Sequence, residues 1–394
     1  MDATIGPTGS RAPVSAQATQ ARADPLAQSI LHVTEAPLGG VVAYLEEMLA
    51  GQIADGRMDI GLVTPEINLP ALNQLAGERF TAFPLPAYRR KSLLSPLRLA
   101  RETIRQARRT RPDILHVHST IAGAIVRACR PFLPRETAVI YCPHGWAFSR
   151  KGGERVNAVV RLVERLLARG CDSIVCISEP ERQEALSAGL PADKLVVIEN
   201  GVSARTVASP AATKRPAGSP RRMVFAGRFD RQKGFDTYLE VMRRLGPEAE
   251  GIAIGRQIVS GDKEPELPAN VTVTGWIPRG EVYELYAGAD VLLVPSRWEG
   301  FGLVAVEAMQ ARLPVFASRV GGLRDIVEDG ITGRFFEPDD VEAIVSILRS
   351  TTDAELRAFG EAGYARYLAR YTADRMNRRM LAHYESLIAT RRGA

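Results

Sequence analysis

Four apolar residues, Val291–Val294, run into a polar turn that holds Gly300 and Gly302, and a helical pattern opens at Leu303. A strand, a glycine turn and a helix start in that order make an anion site. The first N–H groups of the helix have no acceptor within it. Glu299 stands in the turn and Glu307 a turn into the helix. Two carboxylates flanking free amides suit a ligand that carries both phosphate and hydroxyls. Taken alone, the stretch also reads as an ordinary βα turn with two solvated glutamates.

The same alternation recurs along the chain. Apolar strands are expected at Ser29–Thr34, Met58–Val63, Asp113–Ser119, Val139 onward, Cys171–Cys176 and Val196–Ile198, with helical segments between them. A second series starts at Arg222–Ala226 and continues through Gly251–Ile254, Val271–Thr274, Val291–Val294 and Pro314–Ala317. Strands alternating with helices argue for doubly wound parallel sheets. A chain of 394 residues exceeds one ordinary core, so two such domains are expected.

The expected divisions are a disordered tail over 1–28, a first domain over 29–204 and a linker over 205–221. A second domain spans 222–375, and a helix over 376–394 follows it. The tail is rich in Ala, Ser, Thr, Gly and Pro without periodicity, and the linker in Ala, Pro, Thr and Ser. The tail lacks the apolar core of a signal peptide, and no run of eighteen apolar residues crosses a membrane. Cys129, Cys142, Cys171 and Cys176 show no metal-site spacing and read as buried free thiols.

Several polar residues fall where parallel strands end, which is where α/β sheets bind ligands. Gly39 and Gly40 open the first helix and permit close backbone approach to a phosphate. His144-Gly145 follows the strand from Val139; a histidine capping a turn is the plainer reading. Arg228 and Lys233 bracket the turn after Arg222–Ala226, and two cations there suit a diphosphate. They are equally ordinary as surface residues. His116 and His118 share one face of their strand, but no third metal ligand is apparent nearby. A packed His116 and a cleft-edge His118 are expected, and Asp339-Asp340 reads as a helix cap.

The Glu-x7-Glu arrangement of Glu299 and Glu307 and the Gly227-Arg-…-Lys-Gly234 turn resemble the signatures of a known family. That family is the retaining nucleotide-sugar glycosyltransferases of family 4, with the GT-B fold. The resemblance covers most of Ile30–Leu387 and is tighter in the second domain than in the first. It implies two Rossmann-like domains facing a cleft, with the C-terminal helix returning to the first. It further implies that Arg228 and Lys233 hold the donor diphosphate, with Gly300, Phe301, Gly302 and Leu303 supplying amides. Glu307 would hold the ribose, Glu299 the sugar hydroxyls and His144 the sugar and phosphate region. Gly39 and Gly40 would face the diphosphate across the cleft. The Gly275–Pro278 exit, with Trp276, would line the base pocket. Gly255-Arg-Gln257 departs from the family's Gly-x-Gly at the preceding strand.

The implied activity is metal-independent transfer of a hexose from GDP-mannose or a UDP-hexose, with no cofactor. The acceptor would be a glycan or a polyprenyl-diphosphate-linked lipid. The alternatives are a silent nucleotide- or glycan-binding subunit, a sugar-nucleotide epimerase and a glycan phosphorylase. Net charge is +6, yet Ala87–Gly170 alone holds 18 Lys/Arg against 5 Asp/Glu. In Leu93–Arg111, a stripe of Leu97, Ala100, Ile104 and Ala107 is expected to cover the sheet. Arg98, Arg101, Arg105 and Arg108 run beside it. Such a face suits nucleic acid, an anionic membrane or a phosphorylated lipid, and reads equally as a solvated basic surface. A cytoplasmic protein is expected, with peripheral contact at the inner face of the plasma membrane if the membrane is the partner. No reading helix or interleaved aromatics point to nucleic acid.

Overall fold

The computed structural model describes residues 28–36, 39–72, 75, 77–86, 88, 92, 94–149, 153–205, 218–257 and 266–393. The expected tail up to residue 27 and most of the linker lie outside the described residues. So do Arg89, Arg90, Lys91, Arg150 and Lys151 of the basic stretch.

Seven parallel strands form the first sheet: β1 Gln28–Thr34, β2 Met58–Pro65, β3 Phe80–Leu85, β4 Ile114–His118, β5 Ala138–Cys142, β6 Ser173–Cys176 and β7 Leu195–Val197. Their spatial order is β3-β2-β1-β4-β5-β6-β7, so the winding reverses between β1 and β4. The second sheet has six: β8 Arg221–Ala226, β9 Ala249–Ile254, β10 Val271–Gly275, β11 Val291–Val294, β12 Val315–Ser318 and β13 Gly333–Phe336. They are also parallel, in the order β10-β9-β8-β11-β12-β13, and reverse between β8 and β11. The central strands β4, β5, β11 and β12 are short and fully buried, as expected where helices cover both faces of a parallel sheet. The two reversals open a crevice at the strands' carboxyl ends, where no connection crosses.

Two strands have weak sequence signals. β3 carries an alternating burial too shallow to read, and β13 begins at Gly333, which reads as a turn residue. A Cβ at Gly333 would fall 1.8 Å from the Val315 carbonyl oxygen, so glycine is what lets β13 lie against β12. The C-terminal stretch holds two helices, Asp353–Arg370 and Ala373–Gly393, broken at Tyr371-Thr372. At that break Ala373 N donates to the carbonyl of Val202, in the segment that follows β7.

The helix Leu94–Thr110 is rotated from its expected setting. Ser95, Leu99, Thr103, Gln106 and Ala107 are buried, whereas Leu97 is 67% exposed among the arginines. Gln106 tolerates burial because its amide donates to Glu102 at 2.7 Å.

The helix Ala373–Gly393 packs on Gly40–Asp55 of the first domain. Tyr384 reaches Gln52, Asn377 donates to the Glu47 carbonyl, and His383 meets Ser173 at 2.8 Å. One apolar cluster therefore runs from Ile30 and Leu45 through Tyr371, Met376 and Tyr384 to Ala305 and Met309 of the second domain. The domains share a core as well as a chain.

Candidate active site

The second domain presents its polar residues at the carboxyl ends of β8 and β11. After β8, Gly227 and Gly234 take positive φ of 147° and 68°, which fold the turn back toward β11. A Cβ on Gly234 would fall 2.0 Å from the Pro295 carbonyl oxygen, so the two turns are in backbone contact. That contact brings Lys233 Nζ to 2.5 Å from Glu299 Oε2, and Ser296 Oγ donates to the same oxygen at 3.3 Å. Arg228 is held at the rim by Asp230 at 2.9 Å and Gln232 at 2.8 Å.

Gly302, at φ 110°, caps the helix Leu303–Gln310 with no side-chain acceptor on its first amides. Gly321 and Gly322 back this turn: a Cβ on Gly321 would fall 1.7 Å from the Glu299 carbonyl oxygen. Phe301 is buried against Tyr371. Glu307 is buried, and Arg279 donates to its Oε1 at 2.9 and 3.2 Å. The same guanidinium reaches Glu47 Oε1 of the first domain at 2.7 Å. Burial raises the Glu307 carboxyl, and Arg279 opposes that rise.

The first domain answers with the loop after β5. His144 at φ 54° and Gly145 at φ 102° turn the chain sharply there. Gly300 and Gly145 meet across the cleft: a Cβ on Gly300 would fall 3.3 Å from Gly145 Cα. Ser178 Oγ donates to the Gly300 carbonyl at 3.3 Å. The His144-Gly145 turn is fixed from behind by Glu181, whose carboxylate accepts from Gly145 N at 2.5 Å and Ile177 N at 2.6 Å. Burial pushes Glu181 up to about 8, against the pull of those two amides. Gly39 and Gly40 open the helix Gly40–Asp55, and a Cβ on Gly40 would meet nothing within 4 Å.

His118 does not lie at the cleft edge. It is fully buried, with Nε2 at 3.1 Å from His32 Nδ1 and Nδ1 at 3.1 Å from His144 Nε2. A third imidazole also stands beside His116 and His118, contrary to the expectation of none nearby. His32, His116 and His118 bring one ligand atom each within 4.8 Å of one another, and His118, Cys142 and His144 do the same. β1 and β4 are hydrogen-bonded neighbours with His32 opposite His116, a pairing no local spacing encodes. Burial depresses all four histidines, His32 to about 4 and His144 to about 3.

The fold thus brings Arg228, Lys233, Glu299, Gly300, Gly302, Leu303 and His144 to facing strand ends. Trp276 is 48% exposed on the exit from β10. Glu181, Arg279, Glu47, His32 and Gln52 escaped the sequence reading. Only Glu181 had a signal, as the fourth residue of Ser178-x-x-Glu181, a capping-box pattern. Ser178 does cap that helix, accepting from Glu181 N at 3.3 Å, but the Glu181 carboxylate turns to the His144 loop instead.

Comparison with known proteins agrees with this geometry. Residues 38–205 match the model described as Glycosyltransferase Family 4, and residues 211–366 match Glycosyl transferases group 1. An uncharacterized 41.2 kDa protein of the cps region of Klebsiella pneumoniae is 31% identical over 332 residues, covering 82% of this chain and 90% of that one. A UDP-Gal:alpha-D-GlcNAc-diphosphoundecaprenol alpha-1,3-galactosyltransferase of Escherichia coli is 24% identical, covering 82% and 88%. The structure of Anabaena HepE in complex with UDP-glucose superposes with a TM-score of 0.74 at 17% identity, covering 91% of this chain and 99% of that one. The chain belongs to glycosyltransferase family 4, and its two facing parallel-sheet domains are the GT-B fold. It is an enzyme of the glycosyl-transferring class.

Proposed function

We propose that this enzyme moves a hexose, with retention and without a metal ion, from a nucleoside-diphosphate sugar to a lipid-linked or glycan acceptor in polysaccharide or glycolipid assembly. The observation that carries the reading is the convergence of Lys233, Arg228 and Glu299 at the β8–β11 reversal, opposite His144.

Breaking the anomeric C–O bond puts positive charge on the sugar ring and negative charge on the departing β-phosphate. Lys233, Arg228 and the first amides of Leu303–Gln310 are fixed before the reaction, so they stabilise the phosphate without reorganising. Glu299, next to Lys233, binds sugar hydroxyls and steadies the ring. Arg279 occupies Glu307 Oε1, which leaves Oε2 for the ribose hydroxyls. The leaving phosphate takes the acceptor's proton on the face from which it departs. A double displacement through Glu299 is the competing route.

The acceptor side is read from a surface. The helix Glu154–Leu167 exposes Val156, Val159, Leu162, Val163 and Leu166, with Arg155 and Arg165 beside them. An apolar stripe between cations suits a headgroup layer and the lipid-linked acceptors held there. The E. coli relative's lipid-diphosphate acceptor supports the same class. None of the described helices is long and apolar enough to cross a membrane. The contact we propose is a peripheral one at the cytoplasmic face.

The test is nucleotide release from a panel of GDP- and UDP-sugars in EDTA, with and without a lipid-phosphate acceptor extract. Turnover of one donor that survives EDTA and collapses in Glu307→Ala and Arg228→Ala supports the reading. Absence of turnover and of nucleotide binding with every donor would leave a silent binding subunit.

A further inference from the structure

His144 is the outer end of a buried file of hydrogen bonds. Its Nε2 lies 3.1 Å from His118 Nδ1, and His118 Nε2 lies 3.1 Å from His32 Nδ1. His32 Nε2 lies 2.9 Å from Gln52 Oε1, and the Gln52 amide nitrogen donates to Tyr384 Oη at 3.4 Å. The links come from β1, β4, the loop after β5, the helix Gly40–Asp55 and the helix Ala373–Gly393. His118, His32, Gln52 and Tyr384 are fully buried. Tyr44 of the helix Gly40–Asp55 meets the His144 ring edge-on, with centroids 4.6 Å apart.

A neutral imidazole has one donor and one acceptor nitrogen, so the polarity of one link sets all the others. Gln52 Oε1 accepts and cannot donate, so His32 carries its proton on Nε2 and accepts at Nδ1. His118 must then donate from Nε2 and accept at Nδ1. His144 must donate from Nε2 to His118, and its Nδ1 is left as the ring's lone acceptor. A second proton on His118 or His32 would remove an acceptor and break the file there, and one on His144 would remove the free acceptor at Nδ1.

We propose that His118 and His32 are positioning residues for glycosyl transfer: anchored on Gln52, they hold His144 in the Nε2–H tautomer, so that Nδ1 accepts a hydrogen bond from a sugar hydroxyl of the donor. This rests on the reading that His144 faces the donor sugar. It narrows that reading, because His144 then acts as an acceptor toward a hydroxyl and not as a donor toward phosphate. It also accounts for a side chain with no direct access to the cleft, His118, standing in line with one that has it. Metal ligation is the competing use of the same nitrogens.

The first measurement needs no activity. ¹⁵N-histidine spectra of the full chain at pH 7 report the tautomer of each ring through its two nitrogen shifts. The expected result is Nε2–H at His32, His118 and His144. An Nδ1–H or doubly protonated His144 overturns the proposal. So does stoichiometric zinc retained by the purified chain and shifting these nitrogens, because a metal takes the lone pairs the file uses. The second measurement is kinetic, with His118→Phe and Gln52→Leu checked for nucleotide affinity and melting temperature. With nucleotide affinity within twofold of wild type, kcat/KM falls about tenfold to hundredfold, and the His144 spectrum shows mixed tautomers. An unchanged His144 spectrum in both variants overturns the file even if activity drops. Correct tautomers in a chain that turns over no donor would count against the transferase reading alone.

Discussion

Lys233 Nζ and Glu299 Oε2 lie 2.5 Å apart at the junction of the two βα turns, one following β8 and the other β11. The pair sets where negative charge can gather in the cleft. If Lys233 holds the leaving phosphate as proposed, Lys233→Met removes a preorganised cation, and kcat should fall by roughly a hundredfold to a thousandfold. Steady-state nucleotide release measures it; a change within threefold would mean that Lys233 serves only to neutralise Glu299.

Arg279 bridges Glu307 of the second domain and Glu47 of the first, with Glu46 a further partner at 3.6 Å, so its removal leaves three carboxylates without the cation that bonds them. Arg279→Met should lower unfolding stability by about 2–4 kcal/mol, and Glu47→Gln by less. Urea midpoints check both. Equal stability of Arg279→Met and wild type would show the bridge to be dispensable.

Gly145 combines a φ of 102° with a position facing Gly300 across the cleft. Gly145→Ala strains the backbone by about 1–2 kcal/mol and moves the His144 turn. The expected outcome is a kcat lowered at least tenfold with nucleotide binding nearly unchanged, read by calorimetry alongside turnover. An alanine variant as active as wild type would mean that the turn tolerates displacement.

The buried histidines give stability a definite pH dependence. His32 is lowered from 6.5 to about 4, so between those values the unfolded chain binds a proton that the folded chain does not. That contribution is present above pH 6.5 and is lost as pH falls to 4, by about 3 kcal/mol. His32→Phe should flatten the stability curve in this window relative to wild type, as read from denaturant midpoints at successive pH. Parallel curves would mean that His32 stays charged when folded.

On the helix Glu154–Leu167, Val156 is 61% and Val159 60% exposed. Replacing Val156, Val159 and Val163 by Ser should reduce flotation with anionic vesicles several-fold while leaving nucleotide binding intact. Vesicle binding equal to wild type would remove this helix from the membrane reading.

What could be read in the sequence was whatever is encoded locally. The Val291–Met309 stretch names its own strand, turn and helix because apolar run, glycines and periodicity lie within twenty residues. Arg228 and Lys233 lie two and seven residues beyond Ala226, the end of their strand, and are found the same way. Leu97 was misjudged because the helix Leu94–Thr110 buries Gln106 and Thr103, whose polarity hides the true inner face. His32 and Arg279 carried no signal at all. Their partners are distant in the chain: His118 stands 86 residues from His32, and Glu47 stands 232 residues from Arg279. Only strand order and domain facing bring such pairs together, and neither is written in spacing.

Gln52 and Tyr384 are 332 residues apart, yet they meet behind the buried histidines that lead to His144. During synthesis a ribosome completes both sheets before it delivers the helix Ala373–Gly393. Until that helix docks, the first domain has its strands but lacks the layer that covers the back of its histidines. Translation therefore completes every strand of both sheets before it supplies the layer behind the buried histidines. A chain interrupted before Ala373 would carry both sheets and leave Gln52 without Tyr384 and Ser173 without His383.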